Sequence, residues 1–380
     1  MQKKLIALAV AGLMAAPAFA QSNVTVYGRV DYGFMSRNGN SGDVDGVNGK
    51  TELAPGIQGG SRVGFKGAED LGNGLKALFE LEFGSIKNDS TTGLTGNRHA
   101  YVGLTGGFGT VVGGRLDGVR YGVYGKYDPF GNGTVGNITQ ITPQVDRADN
   151  AIAYISPDFA GFGLVLAYST DVAGVEGSHC SHATSTTTTD SGGDTTTTAG
   201  TAVGRNATDT CGNAGDNRLQ TAMLTYNNGP ISAALDYEQI KTQGAGDHNT
   251  LIVNTAAVSY DFGVVKVSGL YDVVRSNKNN AVLGKWKTHN WLVGAKAPIG
   301  SNVVLKAAYG HVKDKINDKA DISKWGVGMD YMLSKRTNFY LDYGSIQNDK
   351  NADVQLSEAG SGFGGGYGTR GIDLGIAHKF

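Results

Sequence analysis

The sequence predicts an all-β fold in which sixteen antiparallel strands close into a transmembrane β-barrel. Three observations support this prediction. Apolar and polar residues alternate in segments long enough to cross a membrane, short and long connections alternate between those segments, and aromatic residues cluster near the segment ends. The composition agrees, because 59 of the 380 residues are glycine and only 7 are proline, which fits many tight turns and few helix stops.

Alternation of apolar and polar residues is the strongest of these signals. Successive side chains of a β-strand point to opposite faces, so a strand between lipid and water alternates in polarity. The segments 75–83, 231–238, 303–309 and 324–333 show this pattern most clearly. Most segments run about 9–12 residues, which suits a tilted membrane-crossing strand. Strands of a soluble sandwich also alternate, but they are usually nearer about 5–6 residues long.

The connections between these segments alternate in length. Seven are short and rich in turn-forming residues, at 70–74, 106–109, 157–162, 227–230, 261–263, 298–300 and 333–336. Eight are long and polar, at 38–59, 88–96, 116–146, 171–216, 241–248, 275–285, 314–320 and 347–369. Fifteen connections join sixteen strands, and an even number with short periplasmic turns and long extracellular loops is typical of outer-membrane barrels. Because lipid cannot satisfy strand edges, the sheet is expected to close around a water-filled lumen.

Aromatic residues form two bands along the predicted strands. One band lies near the short turns and comprises Phe108, Phe159, Phe162, Tyr226, Tyr260, Phe262, Tyr331 and Phe380. The other lies near the long loops and comprises Phe34, Phe83, Tyr168, Tyr237, Tyr271, Trp286, Trp325 and Tyr343. Any β protein places such residues in strands, but two bands are expected at the two membrane interfaces of a barrel.

The first twenty residues have the features of an export signal. Lys3 and Lys4 precede an apolar run, and the segment closes on Ala18-Phe19-Ala20, a small-x-small cleavage pattern. We therefore expect residues 1–20 to be removed and residues 21–380 to form a single barrel domain. No later stretch approaches the roughly 18 apolar residues of a spanning helix.

The charge balance and the cysteines limit the possible partners. Formal charge is −1, and without Lys3 and Lys4 it becomes −3, with 31 basic and 34 acidic residues, too balanced to indicate nucleic-acid binding. Cys180 and Cys211 lie in one polar loop, and an even pair in an oxidising compartment predicts a disulfide. His179 and His182 flank Cys180, so a metal site is the alternative, although the loop shows no further ligand pattern. No cofactor is predicted.

Four stretches of sequence together identify a family resemblance. The chain resembles the general porins of β-proteobacterial and neisserial type in 24–28 (VTVYG), 61–77 (SRVGFKGAEDLGNGLKA), 97–115 and 156–162 (SPDFAGF), and in its terminal Phe380. In 156–162, Asp158 stands where the family pattern has Glu. From 171 to 369 only the rhythm of strands and loops supports the match.

The resemblance implies several properties of this chain. It implies a homotrimer in the outer membrane, in contact with lipid and lipopolysaccharide, and a channel for passive diffusion of ions and small hydrophilic solutes. The third loop, at 116–146, is expected to fold into the lumen and narrow it. Phe380 is expected to be the C-terminal signal by which the barrel-assembly machinery recognises such proteins.

Strand parity assigns charged side chains to the lumen. Val26, Val30 and Phe34 are expected to face lipid, and the inward charges are then Arg29, Asp31, Arg37, Arg62, Lys66, Lys76, Glu80 and Glu82, with Arg115 at the mouth of the third loop. Arg29 and Arg62 fall side by side. We expect them to face the third-loop acids Asp117, Asp128 and Asp146 across a constriction, since such charges set selectivity in pores. The alternative is that they pair with Asp31 or Glu80 along the wall.

Two further features of the sequence weaken the expected charge selectivity. Arg98 has the parity of lipid-facing Ala100 and Val102, so we expect it at the rim of the barrel. The strand after the third loop presents Ala151, Ala153 and Ile155 inward, without a basic residue. The sequence therefore predicts weak rather than strong charge selectivity.

Three other functions stay open at this stage. A substrate-specific channel and an adhesion or binding barrel would share the same strand pattern. A barrel protease or lipase would need a His with a nucleophile or paired carboxylates, and His99, His289 and His311 show no such spacing. The GxGxxG pattern at 131–136 lacks the flanking strand and helix of a dinucleotide site, and the Ser/Thr-rich run 184–198 is expected to be a mobile surface loop.

Overall fold

The computed structural model describes residues 23–39, 49–84, 86, 94, 96–142, 144–172, 181–189, 195–203, 217–244, 247–276, 286–357 and 367–380. Within these residues the strands are β1 (Asn23–Asn38), β2 (Lys50–Pro55), β3 (Arg62–Gly72), β4 (Leu75–Phe83), β5 (Asn97–Gly106), β6 (Gly109–Asp117), β7 (Arg147–Ile155), β8 (Phe162–Ser169), β9 (Ser181–Thr189), β10 (Thr195–Val203), β11 (Arg218–Asn228), β12 (Ile231–Gly244), β13 (Asp247–Asp261), β14 (Lys266–Ser276), β15 (Lys287–Ile299), β16 (Val303–Asp314), β17 (Ile322–Met332), β18 (Thr337–Asn348) and β19 (Arg370–Lys379). An α-helix, α1 (Val119–Tyr127), and a 3-10 helix (Ile138–Ile141) lie between β6 and β7. Neither of these described helices is long and apolar enough to span a membrane. The predicted export signal and the predicted Cys180–Cys211 disulfide lie outside the described residues.

All of the described strands except β9 and β10 form one closed antiparallel sheet. β1 pairs with β19 from Arg29↔Lys379 to Asn38↔Arg370, which joins the two ends of the sheet. β2 and β3 both pair with β1, so together they occupy one position in the barrel. β9 and β10 pair only with each other, and β8 pairs directly with β11. The described strands therefore form the sixteen-stranded barrel that the sequence predicts.

The outer face of the barrel is apolar and the inner face is largely polar. Val26, Val102 and Leu235 are exposed on the outer face, whereas Asp31 and Asp272 are buried on the inner face. Members of both aromatic bands are exposed on the outer face, including Phe108, Phe162, Phe262 and Phe380 near the turns and Phe34, Tyr168, Tyr237 and Tyr271 near the loops. An apolar belt between two aromatic girdles is the surface of a membrane barrel.

Three of the predicted loops contain strand structure. The predicted loop 38–59 includes β2. The connection predicted at 241–248 is shorter than expected, because β12 and β13 remain paired as far as Gly244↔Asp247. The Ser/Thr-rich run, expected to be a mobile loop, forms the β9–β10 hairpin, with Thr189 opposite Thr195. Threonine is β-branched and suits extended backbone, so a polar composition alone did not indicate this hairpin.

A bend at 56–61 separates β2 from β3. Gly56 and Gly60 have φ values of 71° and 70°, a left-handed region that glycine enters at little cost. The Asp31 carboxylate accepts hydrogen bonds from the backbone amides of Gln58 and Gly59 at 2.6 and 2.9 Å. The bend is therefore fixed from the inner face of β1.

The third loop lies against the inner face of the wall. The Tyr124 hydroxyl donates to Asp272 at 2.6 Å, the Val135 amide donates to Asp373 at 2.6 Å, and Lys324 donates to Gln140. These wall residues are all buried on the polar face. The contacts agree with the expectation that this loop folds into the barrel.

Glycines on the inner wall allow the third loop to approach closely. A Cβ atom on Gly344 would overlap the carbonyl oxygen of Val135, and one on Gly326 would overlap that of Gly136. Gly326 and Gly344 are partners across β17 and β18. The loop backbone therefore rests directly on the wall backbone at these two positions.

We predict that Gly344→Ala moves the third loop away from the wall and towards the lumen. Overpacking of this kind costs about 1–3 kcal/mol, and the displaced loop would lower single-channel conductance in a planar bilayer. Gly269→Ala is the matched control, since the nearest atom to its added Cβ is the Leu292 carbonyl oxygen at 3.7 Å. Wild-type conductance in a correctly folded Gly344→Ala protein would contradict the contact.

Candidate functional site

Arg29 and Arg62 are direct partners across β1 and β3, as strand parity predicts. Arg29 donates to the Gln58 side chain at 2.6 Å and lies 3.7 Å from Asp31. Arg62 donates to the Gly59 carbonyl oxygen at 2.8 Å. Both guanidinium groups are thus held by the bend at 56–61, and the Asp31 contact matches one of the wall pairings that the sequence left open.

Arg98 joins this pair, contrary to the expectation that it lies at the rim. Its Nε donates to Glu82 at 2.6 Å, and Arg62 lies 3.5 Å from the other oxygen of Glu82. A register shift between β4 and β5 pairs Glu82 with His99 and Phe83 with Asn97. Arg98 is the extra residue of this bulge, so simple alternation assigned it to the wrong face. We call Arg29, Arg62 and Arg98 the basic cluster.

Asp31 and Glu82, the acids that pair with the basic cluster, are more deeply buried than its arginines. The side chains of Arg62 and Arg98 are 24% and 25% exposed, whereas that of Glu82 is 5% exposed. Arg29 is 11% exposed, and Asp31 beneath it is fully buried. The guanidinium groups of Arg62 and Arg98 are therefore more accessible to a solute than the carboxylates of Glu82 and Asp31.

Glu80 is held in a hydrogen-bond network on the same wall. It accepts from the hydroxyls of Tyr27 at 2.8 Å and Tyr101 at 2.9 Å. The His99 ring joins Glu80 at 2.6 Å to Asp117 at 2.8 Å. Glu80, Glu82 and His99 each bring one potential ligand atom within 4.8 Å of the others, but these atoms already have protein partners. We therefore interpret the group as a hydrogen-bond network.

Asp117 lies at the end of β6, where the third loop begins. It pairs with Arg147 at 2.8 Å as well as with His99, and the Arg147 guanidinium lies over the Tyr121 ring at 4.8 Å. Asp117, Tyr121, Arg62 and Arg98 line one cavity of about 350 Å³ between the wall and the loop. The predicted juxtaposition of Asp117 with basic side chains is thus present.

Lys66 and Lys76 lie on the inner face but outside the basic cluster. The Lys66 ammonium lies 4.9 Å from the centre of the Tyr27 ring, and Lys66 is the cross-strand partner of Glu80. Lys76 lies at the turn end of β4, about 20 Å from Glu82 at roughly 3.3 Å per residue. Lys76 therefore lies near the turn end of the barrel, away from the basic cluster.

Arg115 does not lie on the lumen face. It is the cross-strand partner of Ala100, on the face that exposes Val102 and Leu104, and it forms an ion pair with Asp149. Arg115 keeps the alternation of Val111 and Gly113, whose partners across β5 are Leu104 and Val102, so strand parity along β6 places it on their lipid-facing side. The expected lumen role of Arg115 is therefore corrected to an ion pair on the outer side of the wall.

Asp128 belongs to the interior of the third loop and does not face the basic cluster. Its carboxylate accepts from the backbone amides of Phe130 at 2.8 Å and Ile138 at 2.7 Å. Burial raises the pKa of Asp128 to about 6, although both hydrogen bonds act in the opposite direction. The residue organises the turn between α1 and the 3-10 helix.

A second attachment of the third loop to the barrel wall is made by α1. Arg120 forms a buried ion pair with Asp272 on β14, to which Tyr124 also donates. Burial and the Asp272 carboxylate raise the pKa of Tyr124 well above its usual value, so this hydroxyl stays a donor. Sequence reasoning missed this attachment, because the pairing joins residues 152 positions apart.

Comparisons with known proteins agree with this architecture. The family model described as Gram-negative porin matches residues 7–351. The chain belongs to the Gram-negative porins. It is 32% identical over 397 residues to outer membrane porin protein 32 of Delftia acidovorans, with all of both chains covered. It is 30% identical over 385 residues to the major outer membrane protein P.IB of Neisseria gonorrhoeae, with 94% of this chain and 97% of the relative covered.

A solved structure is similar over almost the whole chain. The anion-selective porin from Comamonas acidovorans superposes with a TM-score of 0.74 at 28% identity, covering 95% of this chain and 100% of that chain. Membership of this family confirms the predicted outer-membrane location and a passive channel rather than an enzyme.

We predict that Asp128→Asn removes a pH-dependent part of the stability of this porin. The folded pKa of about 6 lies above the value near 3.9 of an unfolded aspartate, so the folded state holds a proton that the unfolded state releases between about pH 4 and 6. The free energy of unfolding of the wild type, relative to that of Asp128→Asn, therefore falls as pH rises through this window. The decrease is roughly 3 kcal/mol at most, and the difference is constant at higher pH.

Thermal unfolding in detergent between pH 4 and 8 measures this difference. Asp158→Asn is the control, because Asp158 also accepts a backbone amide, that of Gly161, but in an exposed turn. Parallel stability curves for the wild type and Asp128→Asn across the window would refute the prediction.

Proposed function

We propose that this outer-membrane porin is a homotrimer in which the third loop narrows each lumen to a neck with a weak preference for small anions. The neck is bounded by the basic cluster on one side and by Tyr121 of α1 on the other. The observation that carries this proposal is the difference in exposure: Arg62 and Arg98 reach the cavity, while Glu82 lies beneath them. Arginine suits this role because its charge is not lost by deprotonation.

The charge balance around the neck explains why the preference would be weak. Arg29, Arg62 and Arg98 are opposed by Asp31 and Glu82. Asp117, whose side chain is 44% exposed, adds negative charge that Arg147 offsets. The net excess is therefore small and depends on which groups reach water. The similar porin from Comamonas acidovorans is described as anion-selective, which supports the sign of the preference.

The remaining features of the proposal follow from the family resemblance and from the sequence. Cleavage after Ala20 would release a mature chain of 21–380. Phe380 exchanges two backbone hydrogen bonds with Gly28 at 3.1 Å, so the residue expected to act as the assembly signal also completes the barrel seam. Lipid and lipopolysaccharide would cover the apolar outer face. A Cys180–Cys211 disulfide in the fourth long loop stays a prediction.

We predict that Arg62→Gln combined with Arg98→Gln shifts the channel towards cations. Loss of these charges removes both guanidinium partners of Glu82, so the permeability ratio of chloride to potassium should fall roughly two- to five-fold for each charge, at about 0.5–1 kcal/mol per exposed charge. Reversal potentials of the reconstituted channel under a KCl gradient measure this ratio.

Arg336→Gln is the matched control for this experiment. It removes one positive charge, as each substitution of the double variant does, from an exposed turn outside the neck, so its reversal potential should equal that of the wild type. An unchanged reversal potential in the double variant would reject the role of the basic cluster, and absence of any ohmic conductance in the wild type would reject the channel itself.

A further inference from the structure

One part of the inner wall is apolar, in contrast to the polar wall elsewhere. Val112, Ala151, Ala153, Val165 and Met223 lie on the inward face of β6, β7, β8 and β11, and all five are buried. We call these residues the apolar wall. The corresponding positions of β12 and β14 carry Asp236, Glu238 and Asp272.

The apolar wall faces α1 across a cavity. The space between them measures about 320 Å³ and is closed on the loop side by Val119, Gly122 and Val123. A Cβ added to Gly122 would meet no atom within 4 Å, so this side of α1 is open to the cavity. Ligand sites are usually about 300–1,000 Å³, so the space suits one compact apolar group.

The cavity at the apolar wall adjoins the cavity at the basic cluster. Asp117 lines both of them, and the successive α1 residues Tyr121 and Gly122 line one each. The Asp117 carboxylate is already paired with His99 and Arg147. The neck therefore presents exposed guanidinium groups on one side and an apolar surface on the next strands of the wall.

We propose that the neck contains a binding site for carboxylates with a compact apolar body, such as an aromatic monocarboxylate. The carboxylate would contact Arg62 and Arg98, and the apolar body would lie between α1 and the apolar wall. Charge complementarity selects the anion, and removal of the apolar body from water favours it over a small hydrophilic anion. The inference rests on the proposed neck and adds a solute class to it.

A solute that binds within the channel interrupts the flow of smaller ions. Phenylacetate is therefore expected to reduce the single-channel KCl current with a saturating concentration dependence. Acetate, which lacks the apolar body, and phenethylammonium, which lacks the negative charge, should leave the current nearly unchanged at the same concentrations. The measurement uses the full reconstituted channel in a planar bilayer.

An isosteric pair of variants separates polarity from size. Ala151→Thr with Ala153→Thr and Ala151→Val with Ala153→Val narrow the neck equally, since threonine and valine differ by a hydroxyl in place of a methyl group. The half-blocking concentration of phenylacetate should rise at least about three-fold in the Thr variant relative to the Val variant, while their KCl conductances stay equal.

The outcomes distinguish this inference from the proposed neck. If phenylacetate and acetate act alike, or if the Thr and Val variants respond alike, the apolar site is overturned. If phenylacetate blocks but Arg62→Gln with Arg98→Gln does not weaken the block, the carboxylate contact is overturned. Loss of the chloride preference in that variant, with no phenylacetate block in the wild type, supports the proposed neck and rejects the further site.

Discussion

Hydrogen bonding of the strand backbone is the constraint on which the rest of this structure depends. A sheet in lipid cannot leave an edge unpaired, and here β1 meets β19 over ten residue pairs, with Phe380 and Gly28 extending the seam by two bonds. Closure gives every strand of the barrel one face towards lipid and one face towards the lumen. One face must be apolar for lipid, and the other is free to carry charge, glycine or small apolar residues according to what fills the lumen.

The interior uses buried carboxylates to fix backbone and loops. Asp31 holds the bend at 56–61 through two amides, Asp128 holds the turn inside the third loop, and Asp373 accepts the Val135 amide. A carboxylate used in this way is withdrawn from the channel, because its oxygens are occupied and buried. Asp31, Asp128 and Asp373 therefore add little exposed charge, and the exposed charges of the proposed neck are Arg62 and Arg98 together with Asp117, which Arg147 and His99 partner.

Much of the fold could be predicted because alternation and turn chemistry are local properties. The strand number, the outer face and the Arg29–Arg62 pairing all follow from counting residues between turns. Arg98 could not be placed, since it is the extra residue at a register shift that no local pattern indicates. Arg115 keeps the parity of Val111 and Gly113, so its assignment to the lumen was wrong on alternation alone. Asp128 was assigned to the channel because its sequence neighbours are loop-like, whereas its partners are amides of its own loop. The sequence shows glycines within the strands at Gly326 and Gly344, but it does not show that the third loop packs against them.

Two register shifts lie near the proposed neck. One is between β4 and β5 and the other is between β6 and β7, the strands that flank the third loop, and each adds one residue to one side of a ladder. The shift in β5 turns Arg98 towards Glu82, and the shift beside Gly114 lies next to Arg115, which is held with Asp149 on the outer side. The same number of arginines with uniform registers would put Arg98 on the lipid face. The position of a register shift therefore determines which charges face the lumen, as the residue types of the strands do. β7, whose inward residues include Ala151, Ala153 and Ile155, adds an apolar surface to the neck.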